Sequence, residues 1–194
     1  MSEEIRTRIL DAAARVYAQY GFRGATTRRI ASEADVNEVT LFRQFGSKTA
    51  LLHEAIRCAC SASRPSTLPD TPRALQAELL EWAEATWEGL WQRRAVIRTA
   101  MGEIEERPEL FPKDESPTAC AGRDLGRYLD SVRAAGLCRN DFSLRAATTL
   151  LMGCLFADAM SRDIMPRVYR LEPKQAIAEY VGLFVRAIGA EVAK

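Results

Sequence analysis

Apolar residues recur at steps of three and four along most of the chain, which is the spacing that lines one face of an α-helix. The first such run includes Ile9, Ala13, Val16 and Tyr17, and Gly21 follows it as a residue able to end a helix in the left-handed conformation. No segment shows the period-two alternation that is typical of a strand. The pattern predicts an all-α fold.

Two short helices separated by a tight turn are predicted next, over the segment ATTRRIASEADVNEVTLFRQF. Thr26 is a good N-cap for the first helix, and Asn37 is a good N-cap for the second. The apolar members of the second helix are Val39, Leu41, Phe42 and Phe45. Leu41 and Phe45, four residues apart, share its inward face. The arrangement is the helix-turn-helix pattern, whose second helix can enter the major groove of DNA.

The rest of the chain is predicted to be helical as well. Ser47 caps a fourth helix that runs to about residue 60, and three prolines in residues 63–72 indicate a boundary between domains 1–60 and 61–194. Thr71 is the predicted cap of the next helix, with Pro72 as its first residue. The tract from about Arg73 to Arg107 is expected to break near Gln92 to Ala95, and further helices are predicted over 118–135, 143–163 and 173–192.

Composition excludes several classes of protein. With 27 Lys and Arg against 26 Asp and Glu, the net charge of +1 does not by itself indicate a nucleic-acid partner, so a polyanion site must come from local placement of charge. The first fifty residues carry eight basic and six acidic residues, a net charge of +2. The five cysteines form no CxxC pair, His53 is not near them in a ligand pattern, and no secretory signal is visible. We therefore expect a soluble cytoplasmic protein that is not an enzyme, with no catalytic residues, cofactor or metal site.

The second short helix carries side chains suited to reading bases. Thr40 and Arg43 lie three apart on one face; the Arg43 guanidinium matches the two acceptors of guanine, and threonine offers a hydroxyl and a methyl group. Lys48, at the start of helix four, would place an ammonium beside helix amides that favour a phosphate. The predicted DNA contacts are Thr26, Thr27, Arg28, Asn37, Thr40, Phe42, Arg43, Gln44 and Lys48.

Residues 9 to 52, ILDAAARVYAQYGFRGATTRRIASEADVNEVTLFRQFGSKTALL, resemble the DNA-binding domain of the TetR family of transcriptional regulators. The shared elements are the IL…AA opening, the GF that closes helix one, the TT pair, the IA…V turn, the TL and F of the recognition helix, and the SK that follows. Asp35 stands where the family usually has a turn glycine, Phe42 where tyrosine is most common, and Gln44 where histidine or tyrosine is common. The resemblance implies a DNA-binding regulator whose operator sequence is not inferable.

The resemblance also implies that the remaining helices form a C-terminal domain for ligand binding and dimerisation. Large side chains concentrate where the family keeps an inducer pocket, and the candidates are Trp82, Trp87, Trp91, Met101, Phe111, Tyr128 and Met152. Arg94, Arg98, Glu103 and Glu105 are interpreted as a solvated helix face, with polar specificity in the pocket as the alternative. The expected inducer is a small apolar molecule.

The last two helices are apolar on more than one face, which indicates burial against a second copy of the chain; the alternative is that these faces form an internal core alone. The predicted interface residues are Leu151, Leu155, Ala159, Tyr180, Val181, Phe184 and Ile188. By resemblance, the homodimer is a repressor released from a palindromic operator by its ligand. The alternatives are a redox-responsive regulator of the same fold and a helical binding module without a DNA function.

Overall fold

The computed structural model of the chain describes residues 3–61, 66–110 and 117–190. Its helices are α1 (Glu3–Gly24), α2 (Thr27–Glu33), α3 (Glu38–Phe45), α4 (Lys48–Ser61), α5 (Leu75–Gly102), α6 (Pro117–Ala134), α7 (Leu144–Ser161) and α8 (Pro173–Ala187), and a 3-10 turn spans Pro108–Leu110. These described residues contain no strand, so the predicted all-α class is confirmed. None of their helices is long and apolar enough to cross a membrane.

The described residues group into two compact units. The first unit takes those of Met1–Ala62 and Arg93–Ser116, and the second takes those of Ser63–Gln92 and Pro117–Lys194. Helix α5 therefore contributes its first part to the second unit and its last part to the first. The domain boundary near residue 60 stays a prediction, and the grouping of Arg93–Ser116 with the N-terminal helices is a feature that the sequence does not indicate.

In the first unit, α1 packs against α2 and α4, and α3 packs against α2 and α4. Ile9, Tyr17, Ile30, Leu41 and Leu52 are almost wholly buried, as their spacing along the helices predicts. This core fixes the orientation of α2 and α3, so that the outward face of α3 is held in a definite position.

Helix α5 differs from the prediction at its start and in its middle. It begins at Leu75 and not at Pro72, because the Glu78 carboxylate accepts hydrogen bonds from the backbone N–H groups of Arg73 (3.1 Å) and Ala74 (3.0 Å). It is also unbroken through residues 92–95, where the sequence QRRA contains good helix formers and neither proline nor glycine.

In the second unit, α7 packs against α6 and α8. The predicted dimer-interface residues face this interior: Leu151, Leu155, Ala159, Val181, Phe184 and Ile188 are at most 3% exposed, and Tyr180 is half-buried. A side chain buried within its own chain presents little area to a partner, so the interface through these residues stays a prediction. The same two helices expose Leu150 and Leu183, each at 58%.

Candidate DNA-binding interface and cavity

The turn between α2 and α3 is built by local hydrogen bonds. Thr26 Oγ1 accepts from the backbone N–H of Arg29 (3.3 Å), and Asn37 Oδ1 accepts from that of Val39 (2.9 Å), so both predicted N-caps are confirmed. Asp35 lies between the helices with a φ of 50°, a left-handed conformation that a short polar side chain tolerates. Ser47 caps α4 in the same way, accepting from the backbone N–H of Ala50 at 3.1 Å.

The inward face of α3 anchors the helix. Leu41 is 1% exposed and Phe45 is 9% exposed, as the four-residue spacing predicts. Gly46 then ends the helix with a φ of 74°, and its backbone N–H bonds to the Phe42 carbonyl. With its apolar side buried and both ends fixed, α3 presents a defined outward face.

That outward face is made by Val39, Phe42 and Arg43. Val39 is 70% exposed, Phe42 is 50% exposed and Arg43 is exposed; steps of three and four place them on one stripe. Thr40 is half-buried and lies to one side of it. Sequence reasoning counted Val39 among the apolar members of the helix and missed it as a surface residue. Val39 lies four residues before Arg43 and on the opposite side of the helix from Leu41. This spacing could have identified Val39 as an exposed residue.

The start of α2 supplies a second exposed group of predicted contacts. Thr26 and Arg28 are exposed, whereas Thr27 is half-buried and donates its hydroxyl proton to the Glu38 carboxylate at 2.8 Å. The Thr27 hydroxyl is therefore engaged within the protein, and Glu38 is turned toward α2. Asn37 and Gln44 are exposed; Asn37 uses its Oδ1 as the cap of α3, which leaves its amide nitrogen and the whole amide of Gln44 accessible.

Lys48 is not a freely extended surface cation. It is half-buried, and its Nζ lies 4.5 Å from the centre of the Phe22 ring. The Arg107 guanidinium lies 4.3 Å from the centre of the same ring. Burial first, and then the charge of Arg107, lowers the pKa of Lys48, while Glu103 opposes the shift. Two cations are thus held against one aromatic ring near the start of α4.

Glu103 was predicted to lie on a solvated helix face, and this prediction is wrong. Its Oε1 accepts from the backbone N–H of Phe22 (2.9 Å), and its Oε2 accepts from the hydroxyl of the fully buried Tyr17 (3.0 Å). Gly21 kinks α1 there with a φ of 64°, and a Cβ at that position would come within 2.9 Å of Glu103 Oε1. Glu103 therefore holds the C-terminal end of α1 in place.

The second unit contains a cavity of about 680 Å³ between α5 and α8. Its lining residues are Glu84, Ala85, Trp87, Glu88, Trp91, Glu172, Pro173, Lys174 and Ile177. Of the predicted pocket residues, Trp87 and Trp91 line this cavity, and their rings stack with centroids 5.3 Å apart.

The other predicted pocket residues have different surroundings. Trp82, Tyr128 and Met152 are buried and do not line this cavity, and the side chain of Met101 is 45% exposed. Phe111 lies outside the described residues. Sequence reasoning missed the three glutamates of the lining, although two of them lie one helical turn from the tryptophans.

One wall of the cavity is fixed by a buried polar network around Asp158. This carboxylate is 0% exposed and accepts hydrogen bonds from Trp87 Nε1 (2.8 Å), Arg162 Nη2 (2.7 Å) and the Tyr180 hydroxyl (2.7 Å). Burial and the bond to Asp158 raise the pKa of Tyr180, so its hydroxyl stays a donor. The network holds the Trp87 indole in one orientation.

Comparison with known proteins agrees with this architecture. Residues 9–55 match the sequence family of bacterial regulatory proteins named tetR. The uncharacterized HTH-type transcriptional regulator YvkB of Bacillus subtilis (strain 168) is 28% identical over 185 residues, which cover 95% of this chain and 97% of that protein.

Solved structures are similar over nearly the whole length. A TetR transcriptional regulator from Agrobacterium tumefaciens has 21% identity and a TM-score of 0.75, with 98% of this chain and 96% of that chain covered. GusR of Salmonella enterica has 18% identity and a TM-score of 0.68, with 98% and 99% covered. At these identities the likeness concerns the fold. Together with the match of residues 9–55, it leads to one conclusion: the chain carries the helix-turn-helix domain of the TetR family of transcriptional regulators, within a fold that it shares with a solved TetR regulator.

Proposed function

We propose that the outward face of α3 reads a specific DNA sequence. The observation that carries this proposal is the exposed stripe of Val39, Phe42 and Arg43 on a helix anchored by Leu41 and Phe45. A helix of this length fits the major groove, and few side chains are needed to read bases there.

Each residue of the stripe has a chemical role. The guanidinium of Arg43 donates two hydrogen bonds to the O6 and N7 acceptors of guanine. Val39 and Phe42 make apolar contacts with thymine methyl groups or sugars, while Thr40 and Gln44 flank the stripe. Phosphate contacts come from Thr26, Arg28, Asn37 and Lys48, and Thr27 contributes its backbone N–H because its hydroxyl is occupied by Glu38.

The functional unit is a homodimer formed through the exposed faces of α7 and α8. On α7 the exposed residues Ala146, Leu150, Gly153 and Ala157 follow helical spacing, and on α8 Leu183 is exposed. Two such faces related by a two-fold axis form a four-helix interface with small residues at the contact. The dimer then reads a palindromic operator and doubles the phosphate contacts of a weakly basic chain.

The cavity of the second unit binds the signal. A small molecule with unequal affinity for the DNA-bound and free states shifts the equilibrium between them, and by linkage it changes operator affinity by the same factor. The chain acts as a repressor that its ligand releases, in the cytoplasm where bacterial DNA lies.

Selection of bound duplexes from a random pool tests the DNA-reading proposal. We expect a palindromic consensus for the wild type, and Arg43→Ala should lose about 1–3 kcal/mol on that site and relax one base position per half-site. Arg8→Ala, which removes the same charge from an exposed position on α1, is the control and should keep the consensus. Equal loss of affinity for every sequence would reassign Arg43 to phosphate.

The mass of the protein in solution at micromolar concentration tests the dimer. The wild type should sediment as a dimer, and Leu150→Glu with Leu183→Glu should give a monomer that keeps its helical circular dichroism. Leu171→Glu changes another exposed leucine of the same unit and should stay dimeric. A monomeric wild type contradicts the proposal.

A further inference from the structure

The cavity between α5 and α8 carries a charge that an apolar ligand does not need. The lining contains three carboxylates, from Glu84, Glu88 and Glu172, and one ammonium, from Lys174. One positive and three negative charges give the lining a formal charge of −2. Within the described part of the chain, neither Glu84 nor Glu88 forms an ion pair, and Glu88 accepts only a neutral hydrogen bond from Gln92 at 2.8 Å. A ligand that covers these carboxylates must compensate their charge.

The carboxylates alternate with aromatic rings along one helix. Glu84, Trp87, Glu88 and Trp91 are spaced at steps of three, one and three, which places all four on the same face of α5. The two indole planes are inclined by only 11°. Such a stripe offers the partly exposed indole of Trp91, stacked on the buried indole of Trp87, with carboxylates one turn away from each ring.

The stripe is rigid on one side. Trp87 is 5% exposed, and its Nε1 is bound to the buried Asp158 at 2.8 Å. A ring held in this way does not have to be ordered when a ligand arrives, so less conformational entropy is lost on binding. The wall is therefore suited to a rigid, planar molecule.

We infer that this cavity binds a planar aromatic cation. The partly exposed indole of Trp91, stacked on that of Trp87, attracts a delocalised positive charge through its quadrupole, and Glu84 and Glu88 supply the counter-charge. A neutral molecule of the same shape gains the stacking but leaves the carboxylates uncompensated, and an anion is repelled. This inference rests on the proposed function of the cavity as the signal site and names the chemical class of the signal.

Calorimetric titration of the whole protein with three acridines tests the inference. N-methylacridinium is the cation, acridine is its neutral counterpart of nearly the same shape, and acridine-9-carboxylate is the anion. We expect the cation to bind roughly tenfold tighter than acridine and the anion not to bind. No binding of the cation, or equal affinity for the cation and acridine, would overturn the inference.

Matched variants assign the preference to the cavity. Glu84→Gln combined with Glu88→Gln should abolish the preference for the cation and leave the affinity for acridine unchanged. Glu81→Gln, an exposed glutamate of the same helix outside the lining, should keep the preference. Lys174→Gln should tighten binding of the cation, because it removes the one positive charge of the lining. A double variant that retains the preference contradicts the inference.

Operator release separates this inference from the proposed function. The release assay uses the selected duplex, and the Glu84→Gln, Glu88→Gln double variant controls for direct insertion of the dye into DNA. If the cation binds the protein but does not release the operator, the inference stands and the proposed release is wrong. If a neutral or anionic compound alone releases the operator, the release stands and the inference fails.

Discussion

Replacement of Asp158 by alanine should destabilise the second unit more than any single change on the surface. Asp158 is 0% exposed, and its carboxylate accepts from both Nε (2.9 Å) and Nη2 (2.7 Å) of Arg162, from Trp87 and from Tyr180. Arg162 is itself only 11% exposed. Asp158→Ala therefore leaves a nearly buried guanidinium and two neutral donors without their acceptor.

The size of the loss follows from the buried pair. Removing one partner of such a pair costs about 3–5 kcal/mol, because the remaining charge stays away from water. For a chain of this size, each kcal/mol lowers the midpoint of thermal unfolding by about 2–4 °C, so the expected decrease is on the order of 6–20 °C. The exposed pair of Arg15 and Glu33 is the comparison, and Glu33→Ala should cost less than about 1 kcal/mol.

Tryptophan fluorescence during heating is a suitable assay. Trp82, Trp87 and Trp91 are the three tryptophans of the chain and all lie in the part of α5 that belongs to the second unit, so the signal reports this unit. Wild type and variants are compared at one protein concentration, because a dimer melts in a concentration-dependent way.

A double variant distinguishes an unpaired charge from a simple loss of packing. Asp158→Ala with Arg162→Met removes the stranded guanidinium and should recover part of the stability lost in Asp158→Ala. A midpoint for Asp158→Ala within about 2 °C of the wild type, below the shift expected for even 1 kcal/mol, would refute the assignment of Asp158 as the central acceptor. A double variant no more stable than the single one would show that the cost does not arise from the unpaired charge.

Three further predictions concern other contacts. Lys48→Ala should weaken binding to all duplexes alike and reduce the slope of log affinity against log salt by about one; an unchanged slope would mean no phosphate contact. Glu103→Ala should lower operator affinity without changing the selected consensus, because it frees the end of α1, and a changed consensus would contradict this. Burial alone would raise the pKa of Glu78, but hydrogen bonds from Tyr128 and the backbone outweigh burial and lower that pKa. The ionised Glu78 therefore stabilises the folded protein above about pH 4.5, and this stabilisation is lost as the pH falls. The destabilisation by Tyr128→Phe, read from urea midpoints, should therefore shrink between pH 7 and about pH 3, and a constant difference would exclude the linkage.

The parts of the fold that the sequence predicts correctly depend on neighbours along the chain. The caps at Thr26, Asn37 and Ser47 each bond to a backbone N–H two or three residues away, and the anchor of Leu41 and Phe45 spans one helical turn. Such contacts are decided by residue type and spacing, which the sequence displays directly.

The missed features depend on partners that are distant in the chain. Glu103 bonds to Phe22 and Tyr17, 81 and 86 residues away, and no local pattern marks it as different from a solvated glutamate. The predicted dimer residues pose another difficulty. A core face and an interface face have the same helical spacing, so periodicity alone could not tell Leu151 from its exposed neighbour Leu150.

The surroundings of Phe22 predict a role for the end of α1 in the proposed DNA binding. Lys48 and Arg107 are held over its ring within 4.5 Å, and the pKa of Lys48 is lowered because part of its hydration is already lost. A phosphate that approaches this ammonium therefore displaces less water than it would at an extended lysine, and it relieves the repulsion between the two cations. The Glu103 carboxylate positions Phe22 by accepting a hydrogen bond from the backbone N–H of Phe22. In the proposed complex with DNA, the Glu103 carboxylate would thus contribute to phosphate binding through the ring that it orients, although its own charge opposes that of DNA.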